Sequence, residues 1–239
     1  MNRYDSQSGL RALDYAVPDA FLMKKALEQH GYTVRLLTDQ RANRDFVLDA
    51  IKQAGSILDP QKGTLAFYFS GHGFAEPQTQ LNYLATSNTL SSNLAGTALS
   101  LRDVERAIRK TQVKRAIMFI DACRDNPFRG RSVAQPTFMQ QHGQGIKTLY
   151  ATAFGDLSYE TPELGHGVFT HFLYRGFLGQ GNAVEPNGVI SYDSLKRYVQ
   201  EETAKWTFSK FGRPQKPFSR DRSDSFGVIV LGQTVRPQA

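Results

Sequence analysis

The chain contains a single cysteine, Cys123, which lies just behind a run of apolar residues. That run, residues 116–120, lacks helical spacing and is rich in strand-favouring side chains, so it predicts a strand buried on both faces. Ligand sites in open α/β sheets collect just beyond the carboxyl ends of such strands. A lone cysteine is often only a small buried hydrophobic side chain. The polar neighbours Asp121, Arg124 and Asp125 favour a chemical role here.

A histidine, His72, has a similar setting upstream, in the tetrapeptide SGHG after the apolar stretch 63–70. Neighbouring parallel strands end at one rim of a sheet, so His72 and Cys123 are expected within hydrogen-bond reach. An imidazole beside a thiol favours the thiolate, which is the nucleophile in cysteine catalysis. No side chain covers the backbone after the histidine, so the N–H groups of Gly73 and Cys123 are the expected oxyanion donors.

The elements that must position these residues alternate between helix and strand. Before the cysteine, the patterns predict a helix within 14–30, a strand at 32–37, a helix at 44–58 and a strand at 63–70. After it, they predict strands at 147–152 and 225–231 and helices at 168–177 and 191–206. This alternation is typical of an α/β fold with mostly parallel strands. No internal repeat or interdomain linker is visible, so residues 1–239 are predicted to form one domain.

Composition excludes several other functions. One cysteine allows no internal disulfide, and without metal-type spacing of histidines or carboxylates no metal site is predicted. No apolar run is long enough for a membrane span, and the first residues lack the apolar core of a signal peptide, so a cytoplasmic protein is expected. The net charge of +7 would suit an acidic partner. The basic residues are scattered and form no nucleic-acid motif, so nucleic-acid binding is not predicted.

Taken together, SGHG and IDACRDNPF resemble the caspase/metacaspase superfamily of cysteine peptidases, with the bacterial caspase-like proteins closest. The resemblance extends to the stretches LDYAVPDA, ATAFGD, GVFTHFL and RPQKPF. It implies a caspase-like three-layer sandwich in which helices flank a mostly parallel sheet. It also implies a large-subunit-like part at 1–128, a linker loop at 129–146 and a small-subunit-like part at 147–239. The apolar strand that opens the family fold has no counterpart here and is expected to be absent.

The resemblance also implies roles for individual residues. Cys123 is the nucleophile and His72 the acid–base of a Cys–His dyad. Metacaspases have aspartates at the positions of Asp121 and, within VPDA, Asp19, and both lie at the S1 pocket that holds the residue before the cleaved bond. Cleavage after Arg or Lys is therefore implied, in protein or peptide substrates. The alternative for Asp19 is a carboxylate that only stabilises the start of its helix.

Metacaspases often require calcium, but the acidic residues between His72 and Cys123 form no recognisable cluster. Calcium activation is therefore implied by resemblance alone, and no cofactor is predicted. The alternative function is a catalytically silent caspase-like module that binds partners. The intact His–Cys pair favours the peptidase, and the missing strand favours the module. Nothing in the sequence indicates the oligomeric state.

The linker loop is where family members are processed into two parts. A peptidase specific for basic residues would find Arg129 and Arg131 there, with Lys147 at the loop's end. These three are the candidates for self-cleavage, and Lys147 is the weakest because the next strand should hold it. The alternative is a solvated loop that any protease could nick.

Overall fold

The structure is a computed structural model that describes residues 1–75, 81–122, 145–152, 158–221 and 229–233. The helices are α1 (Ala16–Gln29), α2 (Arg44–Ser56), α3 (Leu94–Thr97), α4 (Leu101–Lys110), α5 (Val168–Phe177) and α6 (Tyr192–Phe211). The strands are β1 (Thr64–Ser70), β2 (Gly73–Ala75), β3 (Asn82–Leu84), β4 (Leu99–Ser100), β5 (Arg115–Asp121), β6 (Ile146–Tyr150), β7 (Glu160–Thr161), β8 (His166–Gly167), β9 (Val189–Ser191), β10 (Phe218–Arg220) and β11 (Val230–Gln233). Short 3₁₀ turns lie at Ser6–Ser8, Asp39–Arg41, Ser91–Asn93 and Gly181–Ala183.

The central sheet has four strands in the order β1-β5-β6-β10. The first three are parallel, and β10 runs antiparallel to β6. Parallel neighbours need a crossover connection, and α4 provides it between β1 and β5. The register pairs Ser70 with Asp121, so β1 and β5 end at the same rim. The sheet is thus mixed and mostly parallel, as the sequence predicts.

Side chains of β5 alternate between two hydrophobic cores. Ile117 and Phe119 join the core formed with α1, α5 and α6, whereas Met118 and Ile120 join the core formed with α2 and α4. All four are at most 2% exposed, which confirms the predicted strand buried on both faces. Helices therefore cover both faces of the sheet, and the molecule has the three layers of a caspase-like sandwich.

Two helix starts follow the side-chain capping that the sequence suggests. Ser191 caps α6 in a reciprocal pair with Ser194, and Ser100 caps α4 by accepting from the backbone N–H of Asp103. α6 ends at Gly212, whose φ of 67° is left-handed. Across the described ranges, no helix is both long and apolar enough to cross a membrane.

The prediction of a strand at 32–37 is wrong. Tyr32 and Val34 pack against the core and Thr33 between them is exposed, yet this stretch joins no sheet of the described chain. The N–H of Tyr32 donates a hydrogen bond to the carbonyl oxygen of Leu27 at 3.1 Å. Alternation alone forms no strand without a neighbouring backbone to bond. Within the same ranges, β1 pairs only with β5 and is an edge strand.

Candidate active site

The histidine of the predicted dyad lies at the rim where β1 and β5 end. Ser70 and Asp121 are register partners, and His72 and Cys123 each follow one of them by two residues. Cys123 itself lies outside the described residues, so the dyad geometry and half of the oxyanion site stay predictions. Gly73, the other expected oxyanion donor, begins β2, next to the histidine.

The imidazole of His72 is oriented by a backbone carbonyl. Its Nε2 lies 2.9 Å from the oxygen of Arg11, which can only accept, so we assign the proton to Nε2. The Nδ1 atom is then the nitrogen that can take up a proton. Burial lowers the pKa of His72, so the ring is neutral at neutral pH. An oriented, neutral imidazole is what a general base requires.

The backbone of His72 is held on both sides. Its N–H donates to the hydroxyl of Tyr4 at 2.9 Å, and its carbonyl accepts from Ala85 at 2.9 Å. The Tyr4 and His72 ring centroids are 5.2 Å apart. A side chain at Gly71 would begin 2.9 Å from the Tyr4 hydroxyl, so only glycine allows this approach. The position of the histidine is therefore fixed by the N-terminal segment as well as by β1.

The two aspartates predicted for the S1 pocket converge on one point beside Gly167. Asp19 is 1% exposed and Asp121 is 6% exposed. A Cβ atom built on Gly167 would lie 2.7 Å from Oδ2 of Asp121 and 3.1 Å from Oδ2 of Asp19. The φ of −60° at Gly167 suits any residue, so glycine is required there for space. Because residue 167 has no side chain, both Oδ2 atoms lie close against its backbone, and we call this meeting point of the two carboxylates the gap.

The electrostatics of this pair favour a cation in the gap. Burial, followed by the charge of Asp19, raises the pKa of Asp121 to about 7. Burial also raises the pKa of Asp19. Two carboxylates in one site resist full ionisation, and a nearby positive charge relieves that repulsion.

Asp19 accepts hydrogen bonds from groups outside its own helix. The hydroxyl of Ser70 lies 3.2 Å from Oδ2, the N–H of Gly167 lies 3.2 Å from Oδ1, and Nδ1 of His166 lies 2.9 Å from Oδ1. These donors belong to β1 and β8. A carboxylate that only stabilised the start of α1 would need none of them.

Asp121 is held by a buried chain of hydroxyl groups. The Thr170 hydroxyl donates to its Oδ2 at 2.6 Å, and the Ser158 hydroxyl donates to Oδ1 at 2.9 Å. The Thr170 oxygen can then accept from the hydroxyl of Tyr68, 2.7 Å away. The amide of Gln215 donates to Ser158 at 3.3 Å. Both oxygens of Asp121 are thereby fixed in direction.

A third carboxylate, Glu160, interacts electrostatically with the pair. It is the register partner of Gly167 in the β7–β8 ribbon, and its side chain is exposed. Partial burial, followed by the charge of Asp19, raises the pKa of Glu160. The three acids share one electrostatic environment at the rim.

Sequence reasoning missed the residues that hold the aspartates. Thr170 and Gly167 fall within GVFTHFL, which carried the resemblance without an assigned role. His166 immediately precedes that stretch, and its partner Asp19 is 147 residues away in sequence. Only tertiary structure connects such distant positions.

The remaining predicted residues belong to the linker. Lys147 lies in β6, is 14% exposed and places its Nζ 3.1 Å from Asp193, so the strand holds it as expected. Arg129 and Arg131 lie outside the described residues. In the part of the chain that is described, no group of three or more His, Cys, Asp or Glu side chains could hold a metal ion. We derive no step through a calcium ion.

Comparison with known proteins places the chain in a family. A family model described as "Caspase domain" matches residues 1–222. A protein from a Desulfuromonadales bacterium, named as a probable protease, is 30% identical over 177 residues. The match covers 67% of this chain and 21% of that relative, so the chain spans about a fifth of the relative's length. Both findings support a protease function. Because the family model covers most of its length, the chain belongs to the caspase domain family.

Proposed function

We propose that this protein is a cysteine endopeptidase that hydrolyses peptide bonds after Arg or Lys. The observation that carries the proposal is the pair of buried carboxylates, Asp19 and Asp121, facing one gap at the rim that bears His72. A carboxylate pair binds a guanidinium bidentately or an ammonium as a point charge. The gap beside Gly167 is the S1 pocket of this proposal.

In the proposed reaction, Nδ1 of His72 accepts the thiol proton of Cys123, and the thiolate sulfur attacks the carbonyl carbon of the basic residue. The resulting oxyanion accepts hydrogen bonds from the N–H groups of Gly73 and Cys123. The imidazolium returns its proton to the leaving amine, and a thioester to Cys123 forms. Water, deprotonated by His72, then attacks the thioester carbonyl carbon. The C–S bond breaks, the carboxylic acid product leaves, and the imidazolium returns its proton to the Cys123 thiolate. The carbonyl of Arg11 keeps the other proton on Nε2 throughout.

Both chain segments around the linker contribute to this site. Asp19, His72 and Asp121 come from the part at 1–128, and Gly167 comes from the part at 147–239. The expected substrates are proteins or peptides with Arg or Lys before the cleaved bond. The proposal requires no metal ion.

Fluorogenic peptides that differ only in the residue before the cleaved bond test the proposal. We expect the wild type to cleave Arg and Lys peptides, in the presence of EDTA as well, and to spare peptides with Asp or citrulline. Citrulline has the shape of arginine without its charge, so it isolates the contribution of the carboxylates. Cys123→Ala should abolish turnover. Efficient cleavage after Asp, or an active Cys123→Ala variant, would contradict the proposal.

One observation favours the second candidate, a silent partner-binding module. In the described chain, the outer edge of β1 has no paired strand, and such edges can accept a strand from another protein. The same assay separates the two functions. A folded wild type that binds basic peptides but turns none over would support the module.

A further inference from the structure

His166 is the ionisable donor among the hydrogen-bond partners of Asp19. The geometry points to His166 as a positioning residue that holds the carboxylate of Asp19 in its orientation at the S1 gap. This inference rests on the proposed function and extends it, because it identifies a specificity-determining residue outside the aspartate pair. The other two partners, the Ser70 hydroxyl and the Gly167 N–H, are neutral.

The contact directs the two oxygens of Asp19 differently. Nδ1 of His166 lies 2.9 Å from Oδ1, whereas Oδ2 is the oxygen 3.1 Å from the point where a Gly167 side chain would begin. His166 thus binds Oδ1, while Oδ2, which lies at the gap, accepts from the neutral Ser70 hydroxyl at 3.2 Å and the Gly167 N–H at 3.3 Å. The imidazole is 22% exposed while Asp19 is 1% exposed, so the ring lies between the buried carboxylate and the surface.

The position of the ring relative to the gap is set by the backbone. His166 and Gly167 are consecutive residues of β8, which pairs with β7 through Thr161 and Glu160. The N–H of Gly167 binds the same carboxylate as the His166 ring. The strand β8 supplies the His166 ring, the Gly167 N–H and the gap. A change at the ring should therefore alter the position of Asp19 more than the positions of the other site residues.

The charge on Asp19 depends on several surrounding groups. The titratable groups that face Asp19 or the His166 ring, besides each other, are Asp121, Glu160, the Met1 amino group, Tyr68 and His171. All of these remain when His166 is replaced. The hydrogen bond and charge of His166 lower the pKa of Asp19 against the larger effect of burial. Loss of His166 therefore raises the pH at which Asp19 ionises.

Three replacements separate positioning from general structure. Asparagine places an N–H donor close to the position of Nδ1, glutamine extends its amide about one bond further, and alanine has no donor. His171→Asn is the matched control, because His171 lies on α5 and its ring packs against Phe172. The measurement is kcat/KM for matched Arg and citrulline peptides across pH, together with the thermal midpoint of each variant.

We expect His166→Ala to lower kcat/KM for the Arg peptide about 10-fold, mainly through KM, since Asp19 loses the imidazole hydrogen bond that orients it. The acid limb of its pH profile should move to higher pH, and the citrulline values should change little. His166→Asn should recover most of the Arg activity, His166→Gln should not, and His171→Asn should resemble the wild type.

Two results separate a failure of the proposed S1 pocket from a failure of the role of His166. A wild type that does not distinguish Arg from citrulline would overturn the proposed S1 pocket. A wild type that prefers Arg, with an unchanged preference and pH profile in folded His166→Ala, would overturn the role of His166 alone. If the alanine variant does not fold, the asparagine and glutamine variants decide the question, because equal activity in these two would also overturn the inference.

Discussion

At the scale of single residues, the ionised form of Asp121 serves the proposed specificity but lowers the stability of the fold. Its pKa of about 7 results from burial and from the neighbouring charge of Asp19. A buried carboxyl with a raised pKa binds a proton more readily in the folded than in the unfolded chain. Its contribution to stability is therefore largest at acid pH and decreases as the pH rises from about 4 to about 7. At neutral pH the protein retains a charge that its fold disfavours.

Asp121→Asn should therefore stabilise the protein while impairing its function. The amide keeps the shape, and the hydroxyls of Thr170 and Ser158 can rotate to suit it. We expect the free energy of unfolding at pH 8 to increase by about 1–3 kcal/mol, because the costly buried charge is removed. Cleavage of Arg peptides should fall at least about 100-fold, the scale of a lost charged contact. Urea titration at two pH values and peptide kinetics measure the two effects.

The pH at which the titrations are made provides the control for this prediction. At pH 4 the wild-type carboxyl is largely protonated, so the difference in stability between wild type and Asp121→Asn should shrink. A variant that is less stable than the wild type at both pH values would show that Asp121 is a structural residue.

The aspartates could be predicted from sequence because the motifs that contain them are local. Asp121 ends an apolar run, and Asp19 lies in a short stretch with a family counterpart. Their hydroxyl and imidazole partners are separated from them by tens of residues in the chain. No periodicity or spacing connects Ser158 or His166 to a carboxylate, so sequence reasoning could not identify these contacts.

At the scale of elements, the interior of the sheet could be predicted from sequence, whereas its edge could not. β5 was predictable because burial on both faces produces a continuous apolar run. The stretch 32–37 shows strand-like alternation and yet has no ladder, since alternation reports burial of side chains and not pairing of the backbone. The β1 strand has two sides, and in the described chain only the side facing β5 is paired.

An apolar strand placed before Met1 should therefore stabilise the protein. The amino group of Met1 donates to the carbonyl of Ser70 at 2.6 Å, so an added segment would enter beside the end of β1. We expect about six added residues of Val and Ile type to raise the free energy of unfolding by about 2 kcal/mol, through a few new backbone hydrogen bonds. The urea midpoint measures the change.

The control for the added strand is an extension of equal length made of Gly and Ser. This extension also replaces the buried amine with a peptide bond but has little tendency to pair as a strand. Equal midpoints for both extensions would show that β1 gains nothing from a new neighbour.

At the scale of the whole molecule, the proposed site spans the linker. β5 precedes the linker and β6 follows it, and the two pair in parallel from Ala116 with Ile146 to Ile120 with Tyr150. The hydrogen bonds of Asp121 to Ser158 and Thr170 cross between the same two parts. A cut within the linker would leave all of these contacts in place.

We therefore predict that the protein cleaves itself after Arg129 or Arg131 and that the fragments stay together. Lys147 should survive, because its side chain bonds Asp193 and its backbone belongs to β6. Mass spectrometry of incubated wild type and Cys123→Ala identifies the cut sites, and size-exclusion chromatography without denaturant reports association. The wild-type fragments should elute together at the volume of the uncut variant, since the interior of the sheet holds them. Fragments in both samples would point to a contaminating protease. Separate elution of the two fragments would contradict the role of the β5–β6 pairing. An uncut wild type that still hydrolyses Arg peptides would show that activity does not depend on processing.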